Sequence, residues 1–260
     1  MAKKSVDEFI VFENRPLNNS NFLLKLQAPA PLPAIQPGQF VNIDIPDCSE
    51  IFLRRPFSVF NVDYDDNSIS IIVKILGRGS EKLTKIKNGE TLNLIYPLGT
   101  GFTYPDKNDK ILLVGGGSGI APMLFLASEC RLEAENVDII IGARTNEDHI
   151  NIDKYRSCGK FHFTTEDGSS EIKGVVTDHP VFIEKLKIFD KIYACGPLAM
   201  MKAVAKEAKR ENIFCEVSLE NMMACGFGVC LCCIEPTVKG NLCVCTEGPV
   251  FNINQLKWQI

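Results

Sequence analysis

The sequence predicts a chain of three parts. A six-stranded antiparallel β barrel spans residues 1–103, a doubly wound α/β domain for nucleotide binding spans 104–217, and a small cysteine-rich loop domain spans 218–260. Three observations point there. Short β runs separated by turn residues fill the first hundred positions. Strand-like and helix-like runs then alternate. Finally, six of the eleven cysteines fall between Cys225 and Cys245.

Composition narrows the class. The chain has 260 residues, 45% of them hydrophobic and 23% charged, as expected of an ordinary globular protein. The net charge is −4 and no basic block is present, so nucleic-acid binding has no footing. The first residues carry a lysine pair with no apolar run behind it, unlike a signal peptide. The longest apolar runs, 111–114 and 123–127, are too short to span a bilayer. A reduced, cytoplasmic setting is therefore expected, with no membrane partner.

In the first part, strands are expected at residues 8–12, 22–26, 39–45, 57–62, 68–75 and 91–95, with one helical piece at 80–87. Alternation is clean at 40–45 and 69–73, and Asn-Asn, Pro-Gly, Asp-Asp-Asn and Asn-Gly supply the turns. Six short strands of this kind suit a closed barrel.

Near 104–108 the pattern changes through a Pro, Asp, Lys and Asn linker. Strands are expected at 110–114, 137–142, 161–165, 191–194 and 214–217, and helices at 122–133, 178–187 and 198–210. The run 110–114 is fully apolar, as in a strand covered on both faces. It leads directly into Gly115, Gly116, Gly117, Ser118 and Gly119, followed by Ile-Ala-Pro. Glycines at a strand-to-helix turn let the backbone approach a pyrophosphate, and the helix points its positive end there. Cys195, Gly196 and Pro197 form a second such turn. Arg144, with Glu147 and Asp148 behind it, leaves NAD against NADP undecided, because an acid favours a ribose hydroxyl and an arginine a phosphate. His149, His162 and His179 show no ligand spacing and read as surface or packing residues. Met200 and Met201 read as helix core.

The cysteine segment has the most specific chemistry. Cys225, Cys230 and Cys233 follow C-x4-C-x2-C, with Cys245 farther on, the spacing of a plant-type [2Fe–2S] cluster. Two bridged irons need two outer thiolates each. Gly226 and Gly228 suit a loop that must turn its amides toward sulfur, because glycine accepts positive φ. A disulfide framework lacks a secretory signal to accompany it. Zinc usually asks for a second C-x2-C or a histidine pair, and no histidine lies between Cys225 and Ile260. Cys232 and Cys243 sit beside ligand positions and either could exchange with one. The simplest reading of both is a small buried residue near the cluster.

Two barrel segments, Arg54-Arg55-Pro56-Phe57-Ser58 and Ile72-Val73-Lys74-Ile75-Leu76-Gly77-Arg78-Gly79-Ser80, resemble the flavin-binding signature of the ferredoxin–NADP reductase superfamily. The resemblance implies FAD, with Arg55 on its pyrophosphate, Ser58 on the isoalloxazine edge, Phe57 covering a ring, and the helix opening at Gly79 and Ser80 facing a phosphate. Pro56, Ile72, Val73 and Lys74 would complete that site. It also implies that the turns at 115–119 and 195–197 face each other across a nicotinamide, with Cys195 near the stack.

Taken with the segment from Val217 to Phe251, essentially the whole chain resembles the electron-transfer subunit of class B dihydroorotate dehydrogenase. Phe227, Val229, Glu247 and Phe57 are small departures. In that family an FMN-containing catalytic subunit oxidises dihydroorotate, and electrons pass through a [2Fe–2S] cluster and FAD to NAD+ in pyrimidine synthesis. The implied assembly is a heterotetramer. Rival readings are a reductase subunit of hydrogenase or ferredoxin–NADP transhydrogenase type and, from another class, a zinc-bearing interaction module. Trp258 could cap the cluster segment or meet a partner.

Overall fold

The structure is a computed structural model and describes residues 4–46 and 51–260. The first part is a closed barrel of β1 (Ser5–Pro16), β2 (Asn21–Gln27), β3 (Phe40–Ile43), β4 (Arg55–Asp63), β5 (Ser68–Lys74) and β6 (Thr91–Leu98), in the order β1-β2-β5-β4-β3-β6. Every neighbouring pair is antiparallel. Alternation divides the side chains. Val41, Ile43, Ile69, Ile71, Val73 and Leu94 fill the barrel, while Phe40, Ile95 and Leu98 face outward onto the rest of the molecule. Helix α1 (Arg78–Leu83) closes one end.

The second part is a seven-stranded sheet in the order β10-β9-β8-β7-β11-β12-β15. Its members are β7 (Ile111–Gly116), β8 (Val137–Ala143), β9 (Lys160–Thr165), β10 (Ile172–Lys173), β11 (Lys191–Cys195), β12 (Phe214–Ser218) and, after a small hairpin, β15 (Val250–Asn252). Strands β7 to β12 run parallel and β15 antiparallel. The chain starts in the middle at β7, builds outward through β8, and returns to the other side at β11. The carboxyl ends of β7 and β11 therefore flank a topological switch point, where open α/β sheets bind ligands.

Helices α2 (Ile120–Glu129), α3 (Pro180–Glu184) and α4 (Leu198–Arg210) cover this sheet. In α4, Met201, Val204, Ala205 and Ala208 are buried at helical spacing. The expected helix at 122–133 stops at Glu129, and Arg131 takes φ 52°, a left-handed turn. The expected helix at 178–187 is broken into α3 between two 3-10 turns at Val176–Asp178 and Leu186–Ile188. Pro180 accounts for the first break, since it lacks an amide and keeps His179 extended, and the second falls at Lys185, whose φ of −128° leaves the helical range.

The cysteine-rich segment contains a hairpin, β13 (Ile234–Thr237) with β14 (Gly240–Cys243), turned at Gly240 with φ 107°. It then rejoins the molecule. Thr100 N donates to Gly248 O at 2.6 Å, and Phe251 on β15 is 2% exposed in the core that also holds Cys233 and Cys245. Trp258 packs on the same core, donates to Glu235 Oε1 at 3.2 Å and carries the Lys202 ammonium over its ring. Barrel and sheet are joined where Thr103 donates twice to Glu216 and receives a bond from Tyr193 Oη. Among the described residues, no helix is long and apolar enough to cross a membrane.

Candidate functional site

Two cavities lie along the seam between barrel and sheet. The larger, about 480 Å³, opens over the carboxyl ends of β7, β8 and β11. Gly116, Gly117, Ser118 and Gly119 form its floor, together with Gly196 and Pro197. The two turns are in tight contact. A Cβ on Gly116 would come 2.8 Å from Pro197 Cδ, and one on Gly119 would overlap the Cys195 carbonyl. Gly117 takes φ 57°, a left-handed conformation that favours glycine. The polar wall includes Thr164, whose hydroxyl is buried without a partner, and Arg144, paired with Asp148 at 3.4 Å. Backbone without side chains plus an unpartnered hydroxyl suits a dinucleotide.

Two residues expected in that cleft lie beneath it. Gly115 lacks room for a side chain because Ile120 packs on it, and it does not reach the cavity. Cys195 is fully buried in the core. Burial pushes its thiol pKa far up, Glu220 adds to that, and Ser218 opposes it. Both residues support the floor and do not line it.

The smaller cavity, about 300 Å³, lies between the barrel face and the chain that leaves β12. Pro56, Phe57, Ser58, Ile72 and Lys74 line it. Val73 does not. The strand alternation turns it into the barrel core at 1% exposure. Arg55 lies outside the cavity, where Nη1 donates to Leu53 O at 2.8 Å. Its Nε stands 3.5 Å from where a Gly79 Cβ would be, so the two expected phosphate residues do meet. Ser80 Oγ is engaged locally, accepting from the amides of Leu76 and Gly77.

The opposite wall, Ser218 to Met223, was not anticipated, and neither were Phe40, Leu76 and Pro249. One sequence signal pointed to it: the segment follows the last parallel strand, at the carboxyl edge of the sheet. Lys74, Leu76, Ser118 and Glu220 line both cavities, so the two adjoin. Glu220 is exposed into both of them. Neighbouring protein raises its pKa by desolvation, and the Lys74 ammonium pulls it back.

The cysteines form the third element. All those described are free thiols. Gly226 and Gly228 take φ 74° and 79°, as the loop requires. The β13–β14 hairpin returns the chain so that Cys245 N donates to Cys233 Sγ at 3.4 Å, which draws the distant cysteine to the third. The thiols lie in two neighbouring pairs: Cys230 is close enough to Cys225 to shift its pKa, and Cys233 close enough to Cys245 to do the same. Phe227 N donates to Cys225 Sγ at 3.3 Å and Gly228 N to Cys245 Sγ at 3.2 Å. Burial alone would raise the Cys225 pKa, but amide donors and the Cys230 thiol bring it down to about 6. Burial and the Cys233 contact push Cys245 up to about 12. Cys243 is buried beside the ligand set and donates to Gly228 O of the same loop at 3.8 Å, whereas Cys232, expected buried as well, is exposed.

Among the described residues, no three or more His, Cys, Asp or Glu side chains are arranged around a single metal ion. Two thiol pairs with amides aimed at sulfur match the needs of a two-iron cluster instead, since each iron takes its own pair. His162 and His179 pack ring to ring at 4.6 Å, and His162 bonds Asp138 at 2.6 Å, in line with a packing role.

Family comparisons agree with this layout. The iron-sulfur cluster binding domain of dihydroorotate dehydrogenase B matches residues 220–257, an oxidoreductase NAD-binding domain matches 113–206, and an oxidoreductase FAD-binding domain matches 12–104. The electron transfer subunit of dihydroorotate dehydrogenase B (NAD(+)) from Fusobacterium nucleatum is 34% identical over 255 residues, covering 95% of this chain and 96% of the relative. The subunit of the same name from Clostridium acetobutylicum is 36% identical over 242 residues, covering 93% of each. Among solved structures, an NADH-dependent reduced ferredoxin-NADP oxidoreductase superposes with TM-score 0.85 at 27% identity, over 99% of this chain and 92% of its own. A ferredoxin reductase of carbazole 1,9a-dioxygenase shares the fold at TM-score 0.71 and 24% identity, over 82% and 68%. With flavin barrel, nucleotide sheet and cluster loop in this order and relatives matching nearly end to end, the chain belongs to the family of electron transfer subunits of dihydroorotate dehydrogenase B.

Proposed function

We propose that this chain relays electrons from the FMN of a dihydroorotate-oxidising catalytic subunit to NAD+, through a [2Fe–2S] cluster and FAD. The assembly would hold two copies of each subunit. The observation that supports this most is the shared wall. Lys74, Leu76, Ser118 and Glu220 bound both cavities, so a flavin in one would meet a nicotinamide in the other. When bound, a flavin exchanges a hydride's electron pair for single electrons, which suits it to stand between nicotinamide and cluster.

The residues divide the work. Cys225 and Cys230 would ligate one iron, and Cys233 and Cys245 the other. At Cys225 the amide of Phe227 favours the thiolate form that metals take, and at Cys245 the amide of Gly228 works against the rise that burial causes. Ser58 supplies a hydroxyl to the flavin edge, and Arg55, beside Gly79, holds the FAD pyrophosphate. Leu219 and Met223 exclude water from the far wall. Gly116 to Gly119 admit the pyrophosphate of NAD, and Gly196 and Pro197 face it. Glu220, whose pKa is raised by desolvation, sits with Lys74 at the junction of the two cavities.

Co-purification from the native host tests this, with iron, flavin and NADH-dichlorophenolindophenol assays on the product. An FMN-bearing partner and orotate formation with NAD+ reduction are expected. A hydrogenase-like partner, or none, would sink the pyrimidine assignment. A reductase role beside another redox partner is the second reading, favoured by the likeness to the ferredoxin-NADP oxidoreductase. Electron exchange with free ferredoxin and no orotate chemistry would select it.

A further inference from the structure

Asn42 on β3 is fully buried, and neither end of its side-chain amide has a hydrogen-bond partner. Among the described residues no other side-chain amide is in that position. Its surroundings do not explain the residue type. The outer barrel face around it is apolar, with Phe40, Ile95 and Leu98 packed into one core. Burying an unbonded amide there is costly, and a leucine would fill the same space.

The backbone positions Asn42 with care. β6 carries an extra residue opposite Val41, so the ladder between β3 and β6 shifts register between Phe40 and Asn42. Bulges of this kind re-aim side chains next to functional sites. Two neighbours then define what it faces. On one side, its cross-strand partner Pro56 and its strand neighbour Phe40 line the flavin cavity. On the other is the cluster loop. Nδ2 stands 3.3 Å from where a Cβ on Gly226 would lie, and Gly226 directly follows Cys225. The amide nitrogen thus faces the cluster loop, on strand positions that back onto the flavin cavity.

We propose that Asn42 is a positioning residue for electron transfer, its Nδ2 donating a hydrogen bond to the Cys225 side of the iron–sulfur cluster. This rests on the cluster assignment made above. Hydrogen bonds to cluster sulfur stabilise the more negative, reduced state and so raise its reduction potential. Phe227 N already donates to Cys225 Sγ from within the loop. Asn42 adds a donor from the barrel, so the potential of the cluster depends on how the barrel and the loop are docked.

The test uses the full chain purified with its catalytic partner, comparing unaltered protein, Asn42→Leu and Asn42→Asp. The reduced cluster is followed by electron paramagnetic resonance through a redox titration. In parallel, asparagine labelled at its side-chain amide nitrogen is used to look for a nitrogen coupling to the cluster. The unaltered protein is expected to show that coupling. Both variants should retain iron and flavin, lose the coupling and titrate at a more negative cluster potential. If Asn42→Leu does not fold, the near-isosteric Asn42→Asp carries the comparison. An unchanged potential with iron and flavin intact, or an unaltered protein without the coupling, overturns the proposal while leaving the cluster assignment standing. A complex without iron overturns both.

Discussion

The cluster loop and the flavin cavity solve opposite problems. All four proposed thiolates lie in one short stretch from Cys225 to Cys245, and local features bring them together: two glycines of positive φ and one hairpin. The flavin cavity has no such stretch. Phe40, Ser58, Lys74, Ser118, Glu220 and Pro249 reach it from six separate places in the chain. A site defined by covalent spacing is written in the residue order. A site defined by strand pairing exists only after the barrel closes on the sheet. The contrast has a limit, because the cluster segment is anchored by β15 pairing with β12 and by Gly248 receiving Thr100.

The most severe test of local assembly is Cys230→Ser, which removes one ligand and leaves every cavity residue in place. Complete loss of iron and of cluster absorbance is expected, with FAD retained. Full iron content in the variant would mean that the ligand set is wrong.

Phe251→Ala probes the limit of that independence. It empties a fully packed position between sheet and cluster segment, where a Cβ on Gly248 would already meet the ring. Loss of a buried phenyl costs about 3–5 kcal/mol. Urea unfolding should show this, and iron and FAD should be lost together, since Pro249 beside it walls the flavin cavity. Loss of iron alone would show the cluster segment to be independent after all.

Arg55→Ala acts on the assembled site only. Removal of one charged, bidentate contact should weaken FAD binding by about 1.5–3 kcal/mol, read as flavin lost on dialysis with iron unchanged. Undiminished flavin would show that the guanidinium stays on the Leu53 and Arg54 carbonyls.

His179 gives the smallest effect, since it lines neither cavity. Burial lowers its pKa, the His162 ring adds to this, Lys160 contributes, and Glu171 and Asp138 oppose it. The unfolded chain takes up the proton near its usual value of about 6.5. The contribution of neutral His179 to stability is therefore complete above that pH and is lost as the pH falls through it toward the depressed folded value. Its Nδ1 accepts from Val181 N at the start of α3, a cap that asparagine can also supply. His179→Asn should flatten the acid decline of the melting temperature and leave the neutral value nearly unchanged. A variant as acid-sensitive as the parent would place the titration elsewhere.

The elements themselves were largely legible. All six barrel strands and the parallel strands at 111–116, 137–143, 160–165, 191–195 and 214–218 fall where alternation and apolar runs put them, and the helix Leu198–Arg210 matches end to end. The misses have physical causes. Pro180 divided an expected helix, and β10 and β15 are too short to show a period. Among site residues, Val73 was expected in the flavin site but belongs to the barrel core, while Cys195 and Gly115 lie under the cleft. In each case the motif was identified, and what the sequence did not show was which way Val73 and Cys195 point and how closely Ile120 packs on Gly115.

The sequence by itself determined the chemistry at hand: thiols at cluster spacing, glycines where backbone must approach a phosphate, and a barrel signature followed by a nucleotide turn. These follow from residue type and short-range spacing, which the covalent chain keeps whether or not it is folded. Only the tertiary structure decided that Glu220 and Met223 close the flavin cavity, that two cavities share Lys74, and that Asn42 stands beside the cluster loop. Those relations depend on strand order, register and one bulge, which arise from long-range pairing and burial and leave no local mark in the sequence.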